Sequence, residues 1–261
     1  MLLAVDVGNT DIAFGLFEGE RLLHRFHLES SRTRTADEYA VLVRDLAALR
    51  KVEPEQVEAA IVASVAPNVT EVISTAVRRA FDVESHIVGP ETNTGMPVLY
   101  DDPREVGADR IINAVAAYER VKGAVIVVDC STATIFDVIT PKGEYLGGAI
   151  SPGIGISAEA LFARASKLHR VDLAAPPKAV ARNTQHAMQS GIVLGFACLV
   201  DEMVKRIHEE VGWTSRIIAT GAYAHVVAGH AKTIERVDDA LTLEGLRIVW
   251  ARNATFAARP Q

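Results

Sequence analysis

An internal repeat constrains the fold more than any other feature of this chain. Residues 5–12 (VDVGNTDI) overlay residues 128–135 (VDCSTATI) at an offset of 123 residues. In each copy a short apolar run ends in an aspartate, Asp6 or Asp129, and small polar residues lead into a second apolar run. A Gly-Glu turn and another strand pattern then follow in both halves. The repeat therefore predicts two similar α/β halves related by duplication, at residues 1–116 and 117–261.

Hydrophobic periodicity predicts the elements of the first half. Short apolar runs indicate strands over residues 2–5, 12–17, 21–28, 59–64 and 85–88, and helical spacing indicates helices over residues 70–81 and 108–121. The run Thr35-Ala36-Asp37-Glu38 has the capping-box pattern and predicts another helix. We expect the buried face of that helix to hold Tyr39, Val43, Leu46 and Leu49.

The second half is predicted to contain strands at residues 124–128 and 216–220 and two helices. A glycine-rich run, residues 147–155, leads into a helix predicted from Ser157. A long helix over residues 184–210 carries an apolar stripe made of Met188, Ile192, Phe196, Leu199, Met203 and Ile207. Such a helix lies either in the core or between subunits, and periodicity alone does not separate these alternatives.

Composition excludes several classes of protein. Hydrophobic residues make up 49% of the chain and charged residues 23%, which is incompatible with global disorder. The net charge of −6 gives no overall attraction to nucleic acid or to an anionic membrane. The two cysteines, Cys130 and Cys198, are too few for a disulfide framework, and we expect buried free thiols. The chain starts directly with a strand and without a basic leader, which indicates a cytoplasmic protein.

The two repeated aspartates suggest phosphate chemistry. A carboxylate at the C-terminal end of a central strand lies where α/β proteins bind ligands. The small residues after Asp6 and Asp129 allow backbone N–H groups to approach an anion. A carboxylate beside phosphates requires a cation between them, and Mg²⁺ is suited to that position. The alternative is that each aspartate only caps a turn.

Three common nucleotide-binding motifs are absent from the sequence. It contains no Gly-x-x-x-x-Gly-Lys-[Ser/Thr] run, so it is not a P-loop protein. It also lacks the glycine-rich and His-Arg-Asp loops of protein kinases. The glycine-rich run at residues 147–155 does not match a dinucleotide-binding fingerprint and is a weak signal by itself.

A second candidate site lies at the end of a long loop, residues 89–107. Asp109 and Arg110 follow this loop at the start of a predicted helix. Phosphoryl transfer to a hydroxyl needs a carboxylate that accepts the hydroxyl proton, and a guanidinium binds a substrate carboxylate or phosphate. The alternative is that Asp109 only favours the helix N-terminus and that Arg110 lies on the surface.

Five motifs in order resemble those of the type III pantothenate kinase family. They are DVGNT at residues 6–10, EVGADR at 105–110, VVD at 127–129, GGAISPG at 147–153 and NT at 183–184. The resemblance runs from Leu2 to about Asn253. It implies the actin/sugar-kinase/Hsp70-like fold, with two RNase H-like halves. It also implies transfer of phosphate from ATP to pantothenate, which gives 4′-phosphopantothenate in the first step of coenzyme A synthesis.

The resemblance also implies partners and roles for single residues. Members are homodimers that need Mg²⁺ and a monovalent cation, K⁺ or NH₄⁺, and this favours the long helix as the dimer interface. Asp109 would be the catalytic base, Asp129 would bind the monovalent cation, and Asp6 would act on Mg²⁺ through the phosphates. The ATP site would contain Asp6, Val7, Gly8, Asn9, Thr10, Asp11, Ile12, Ala13 and Thr132. The pantothenate site would contain Tyr100, Gly107, Ala108, Asp109, Arg110 and Thr184.

Two positions depart from the family pattern. Ser131 and Ala222 stand where many members have glycine. A serine at a position that needs a positive φ would be strained, and this would weaken ATP binding. The departures motivate an alternative, a weakly active or inactive regulatory paralogue. A phosphatase or polyphosphatase of the same fold is a third possibility, because fold alone does not determine function.

Overall fold

A computed structural model gives the structure of the protein and describes residues 1–257. The first part of the chain forms a hairpin, a third strand and alternating helices and strands. Its elements are β1 (Leu2–Val7), β2 (Asp11–Glu18), β3 (Arg21–Glu29), α1 (Ala36–Ala48), β4 (Ala59–Ser64), α2 (Pro67–Phe81), β5 (Ser85–Ile87) and α3 (Ala108–Val121). Short 3₁₀ turns occur at Pro54–Gln56 and Pro103–Glu105.

The second part repeats the same order with additional helices. Its elements are β6 (Val125–Cys130), β7 (Ala133–Ile139), β8 (Tyr145–Pro152), α4 (Ile154–Arg164), α5 (Thr184–Gln189), α6 (Gly195–Val211), β9 (Arg216–Thr220), α7 (Ala224–Ala228), β10 (Arg236–Val237) and α8 (Leu241–Ala257). The last residues of the predicted second domain, 258–261, lie outside the described residues.

The two five-stranded sheets have one topology. The first sheet has the order β3-β2-β1-β4-β5, and the second, in the same sense, has the order β8-β7-β6-β9-β10. In each sheet the first three strands are antiparallel. The fourth strand, β4 or β9, pairs in parallel with the first strand of the hairpin, and the fifth strand, β5 or β10, pairs in parallel with the fourth. The predicted duplication of an α/β half is thus confirmed by strand order and direction.

Strand register shows where the two copies differ. Val7 pairs with Ile12, whereas Cys130 pairs with Thr134, so the turn of the second hairpin is one residue shorter. The sequence overlay therefore holds for β1 and β6 but is shifted by one residue in β2 and β7. As a result, Ala13 is opposite Asp6, and Ile135 is opposite Asp129.

The chain forms two compact units, and each has its own core. The first consists of Met1–Met96, Asp101–Ala116 and the chain from Leu241, and the second of Pro97–Tyr100 and Ala117–Ala240. In the first unit, helices α1 and α2 cover the sheet, with Tyr39 and Ile73 among the buried residues. In the second unit, α5 and α6 contribute to the core beneath β6, with Met188 and Val200 among the buried residues.

Two predictions of burial were wrong. Leu49 is 79% exposed because it is the C-cap of α1, beyond the last turn that faces the core. Cys198 is exposed, whereas Cys130 is buried as expected. Burial, and after it the charge of Asp129, raises the pKa of the Cys130 thiol to about 12, which makes it a poor nucleophile.

The predicted long helix is interrupted by a π-helical turn at Ser190–Leu194. Of the predicted stripe, Met188 and Ile192 are buried, but the four residues after the π turn are only half-buried. The fully packed face of α6 instead carries Ala197, Val200 and Val204. The extra residue in a π turn changes the phase of the helix, so one 3.6-residue stripe does not continue through it.

The glycine-rich run forms regular structure. Residues 147–152 belong to β8, and α4 begins at Ile154, three residues before the predicted start at Ser157. Gly148 lies so close to β7 that a Cβ there would collide with the carbonyl group of Phe136. The glycines in this strand therefore allow two backbones to approach each other closely. Composition alone does not distinguish such a strand from a loop.

Candidate active site

The first candidate phosphate loop joins β1 to β2. The Gly8 N–H group donates to the Asp11 carbonyl oxygen at 2.9 Å, and a Cβ on Gly8 would lie 2.9 Å from the same oxygen. The tight turn thus requires glycine at this position. Asp6 is half-buried on β1 just before the turn, so its carboxylate is at the predicted strand end.

The tip of this loop is exposed. Among the described residues, the N–H groups of Asn9 and Thr10 donate to no backbone carbonyl group. The Thr10 carbonyl oxygen accepts from Ser30 N at 2.9 Å, which fixes the loop against the end of β3. Val7 and Ile12 are fully buried, so any contact of these two residues with a nucleotide would be through backbone atoms.

The second candidate phosphate loop joins β6 to β7. Ser131 N donates to the Ala133 carbonyl oxygen at 2.9 Å. The described non-glycine residues with positive φ are Lys51, Asp82 and Lys122, so Ser131 is not in the strained region. The expected strain at Ser131 is therefore absent. Ala222, the other departure, is exposed.

Glycines surround this second loop. Gly221 has a φ of +93°, and a Cβ there would collide with the Asp129 carboxylate. Gly153 caps α4 and donates from its N–H group to the Thr132 carbonyl oxygen at 3.0 Å. Asp129, Thr132 and the N-terminus of α4 are thus brought together in the second unit.

Asp109 lies in the first turn of α3. Its Oδ1 atom is buried and has no hydrogen-bond partner among the described residues. Burial raises the pKa of the Asp109 carboxyl, while hydrogen bonding to the Arg110 backbone and the Arg110 charge act in the opposite direction. A Cβ on Gly107 would lie 2.5 Å from Asp109 Oδ1, so glycine makes room for this carboxylate.

Two further polar side chains of α3, those of Arg110 and Asn113, are buried. Arg110 is only 7% exposed, so it is not a surface arginine. Asn113 is 2% exposed and accepts a hydrogen bond from Thr242 Oγ1 at 2.8 Å. Sequence analysis missed Asn113, although an amide between Ile112 and Ala114 on a buried helix is a detectable signal.

The predicted substrate residues of the second unit lie on two different features. Tyr100 follows a short segment that pairs with Tyr145 at the start of β8. Thr184 is exposed at the start of α5, whose N-cap is Asn183. Thr184 lines an open apolar groove of about 950 Å³ together with Leu161, Met188 and Phe196.

The donor set fits oxygen-binding cations. Within residues 1–257, no group of three or more His, Cys, Asp or Glu side chains forms a metal cluster. Asp6 and Asp129 each provide a carboxylate at a strand end. This fits Mg²⁺, which takes one or two protein carboxylates and completes its shell with phosphate oxygens and water.

Comparison with known proteins decides the family. The family model described as type III pantothenate kinase matches residues 2–206. The chain belongs to the type III pantothenate kinase family. The family predicted from the motifs is thus confirmed. As a kinase family, it uses ATP and a divalent metal ion.

Type III pantothenate kinases from two bacteria match nearly the whole chain. The protein from Myxococcus xanthus (strain DK1622) is 53% identical over 253 residues, which is 97% of this chain and 99% of that protein. The protein from Pelobacter propionicus (strain DSM 2379) is 51% identical over 97% of this chain and 100% of that protein. Both carry the name type III pantothenate kinase.

Solved structures confirm the fold. A Baf family protein from Campylobacter jejuni is 17% identical with a TM-score of 0.60, covering 97% of this chain and 99% of that one. Component A of the Acidaminococcus fermentans (R)-2-hydroxyglutaryl-CoA dehydratase is 12% identical with a TM-score of 0.56, covering 99% of both chains. These likenesses and the paired sheets confirm the predicted actin/sugar-kinase/Hsp70-like fold.

Proposed function

We propose that this protein transfers the γ-phosphoryl group of ATP to the terminal hydroxyl of pantothenate, in the first step of coenzyme A synthesis. The products are ADP and 4′-phosphopantothenate. The observation that carries the proposal is the buried Oδ1 atom of Asp109, which has no hydrogen-bond partner among the described residues, in a chain about half identical to type III pantothenate kinases over 97% of its length.

Asp109 acts as the general base. The pantothenate hydroxyl gives its proton to the Asp109 carboxylate as its oxygen bonds to the γ-phosphorus and the bond to the ADP oxygen breaks. A pKa raised by burial brings this base closer to neutral pH and strengthens it. Arg110 binds the pantothenate carboxylate through its guanidinium, with Tyr100, Gly107, Ala108 and Thr184 lining the rest of the site.

The two strand-end loops bind ATP and its cations. The N–H groups of Asn9 and Thr10 donate hydrogen bonds to phosphate oxygens, and Asp6 would help to hold Mg²⁺ beside those phosphates. Asp129, beside Thr132, would hold K⁺ or NH₄⁺. When bound, these cations neutralise charge on the phosphates.

We further propose a cytoplasmic homodimer that binds neither nucleic acid nor membrane. Thr184–Val211 is long enough, and over part of its length apolar enough, to cross a membrane. However, its buried face packs in the core of the second unit, and six charged residues occupy its last eleven positions, 201–211. The half-buried residues Phe196, Leu199 and Met203 support a subunit contact along α6.

The test is an assay of ADP release with ATP and Mg²⁺, with and without pantothenate, and with K⁺ exchanged for Na⁺. We expect release that depends on pantothenate and is stimulated by K⁺. Asp109→Asn should lower kcat by roughly 10²-fold or more, the usual contribution of a general base. Asp101→Asn, which changes an exposed acid in the loop before α3, is the matched control and should leave kcat unchanged.

Each other outcome selects an alternative. Near-normal turnover by Asp109→Asn would show that Asp109 is not the base. ADP release that ignores pantothenate would favour a phosphatase. No release from folded protein would favour a regulatory paralogue of the family.

A further inference from the structure

A buried pair of polar side chains, Tyr145 and Asp137, lies inside the second unit. The Tyr145 hydroxyl donates to Asp137 Oδ1 at 2.6 Å. Tyr145 is 0% exposed and Asp137 is 1% exposed. Placing a carboxylate there is costly unless it is hydrogen-bonded, so the Tyr145 hydroxyl is an important partner for Asp137.

The backbone of Tyr145 holds the segment that precedes Tyr100. Tyr145 N donates to the Pro97 carbonyl oxygen at 2.8 Å, and Leu99 N donates to the Tyr145 carbonyl oxygen at 2.8 Å. Val98 thereby forms a parallel bridge with Tyr145. Residues 97–99 thus extend the sheet beside β8 through a single β-bridge.

The ring of Tyr145 also contacts Tyr100. The two ring centroids are 6.4 Å apart, and their planes are tilted by 50°. The Tyr100 ring also lies near Gly147, where a Cβ would be 3.6 Å from the ring. Tyr145 therefore contacts both the ring of Tyr100 and the backbone just before Tyr100.

We propose that Tyr145, held by Asp137, is a positioning residue that fixes Tyr100 in the geometry that binds the alcohol substrate. The proposal rests on the function proposed above for Tyr100. The Asp137 bond sets the position of the Tyr145 ring, and that ring sets the position of Tyr100. Tyr145 contacts no substrate itself, so its loss acts through Tyr100.

The test compares Tyr145→Phe with wild type in steady-state kinetics. Removing the hydroxyl leaves the Asp137 carboxylate without this donor, so we expect KM for pantothenate to rise by about 10-fold. KM for ATP should stay within about twofold because the phosphate loops are unchanged. Asp137→Asn keeps an acceptor oxygen for the Tyr145 hydroxyl and should have a smaller effect. Tyr118→Phe, the same change on a ring that packs on Gly143, is the control.

A double-mutant cycle separates positioning from general stability. If Tyr145 acts through Tyr100, Tyr145→Phe should add nothing to KM for pantothenate in a Tyr100→Leu background. Additive effects, or a lower Tm with both KM values unchanged, would overturn the proposal.

Hydrogen exchange gives a readout independent of activity. Tyr145→Phe should speed amide exchange in a peptide covering residues 97–100, since Leu99 N bonds to the Tyr145 carbonyl oxygen. Unchanged exchange there would overturn the positioning proposal even if the wild type is active. If exchange is faster in the variant but the wild type releases no ADP in response to pantothenate, the contact between Tyr145 and residues 97–100 is supported. In that case it is the proposed substrate that is wrong.

Discussion

Burial acts on Asp109 in two opposite ways. It raises the pKa of the carboxyl, which favours proton transfer near neutral pH. It also leaves Oδ1 without a hydrogen-bond partner in the part of the chain that the structure describes, which costs folding free energy. The geometry that suits a base is therefore unfavourable for stability. This conflict is expected where a site is kept for function.

The conflict predicts a pH-dependent gain of stability in Asp109→Asn. The folded-state pKa of Asp109 lies above its ordinary value of 3.8, so its stabilising contribution is complete below that value and is lost as pH rises through the folded pKa. At neutral pH the wild type carries this cost, and the asparagine variant should have the higher Tm. The difference should shrink as pH falls toward 4.

Thermal unfolding between pH 4 and pH 8 measures this difference. Asp101→Asn, which is exposed, should show no comparable gain. A lower Tm for Asp109→Asn at every pH would mean that the carboxylate is stabilised by its surroundings.

Gly107 makes a second prediction at the residue scale. A Cβ there would lie 2.5 Å from Asp109 Oδ1, so Gly107→Ala must displace the carboxylate. A displacement of about 1 Å can cost up to 10²-fold in rate, and we expect kcat to fall by roughly 10-fold to 10²-fold. Gly89→Ala, in the same loop with open space around it, is the control. A normal kcat in Gly107→Ala would show that the Asp109 position is not critical.

At the scale of single elements, local signals were predictable and tertiary ones were not. The capping box of α1 was readable from four residues, and in the structure Thr35 accepts from Glu38 N while Glu38 accepts from Thr35 N. The π turn at Ser190–Leu194 gave no such signal. Propensity and spacing reflect a residue's neighbours along the chain, whereas the π turn depends on tertiary packing.

The glycine-rich run shows the same limit within the site. Gly148 fits against Phe136, and Gly153 fits against the carbonyl groups of Ser131 and Thr132. These partners are distant along the chain, so the composition of the run was only a weak signal by itself. The family motif identified the segment, but its strand conformation and its contacts were visible only in the three-dimensional structure. The residue roles carried over with that motif remain predictions.

At the scale of the whole molecule, the repeat predicted two similar sheets, and their shared strand order confirms this. The repeat did not predict which unit the last helix packs against. Helix α8 contacts β1 and β4, and Gly245 lies against Ile112 of α3, so the chain from Leu241 groups with the first unit. These contacts span more than 100 residues, which no local pattern encodes.

The proposed homodimer gives a prediction at this largest scale. The groove beside α5 combines apolar side chains from α4 and α6, and Leu161 on α4 is 37% exposed. If this surface is the subunit contact, Leu161→Glu places a charge in it, and desolvating that charge opposes association. Light scattering with size exclusion should then show the 28.1 kDa monomer for the variant and twice that mass for the wild type. Leu49→Glu, an exposed change on α1, should stay dimeric. A dimeric Leu161→Glu would place the contact elsewhere, and a monomeric wild type would reject the homodimer.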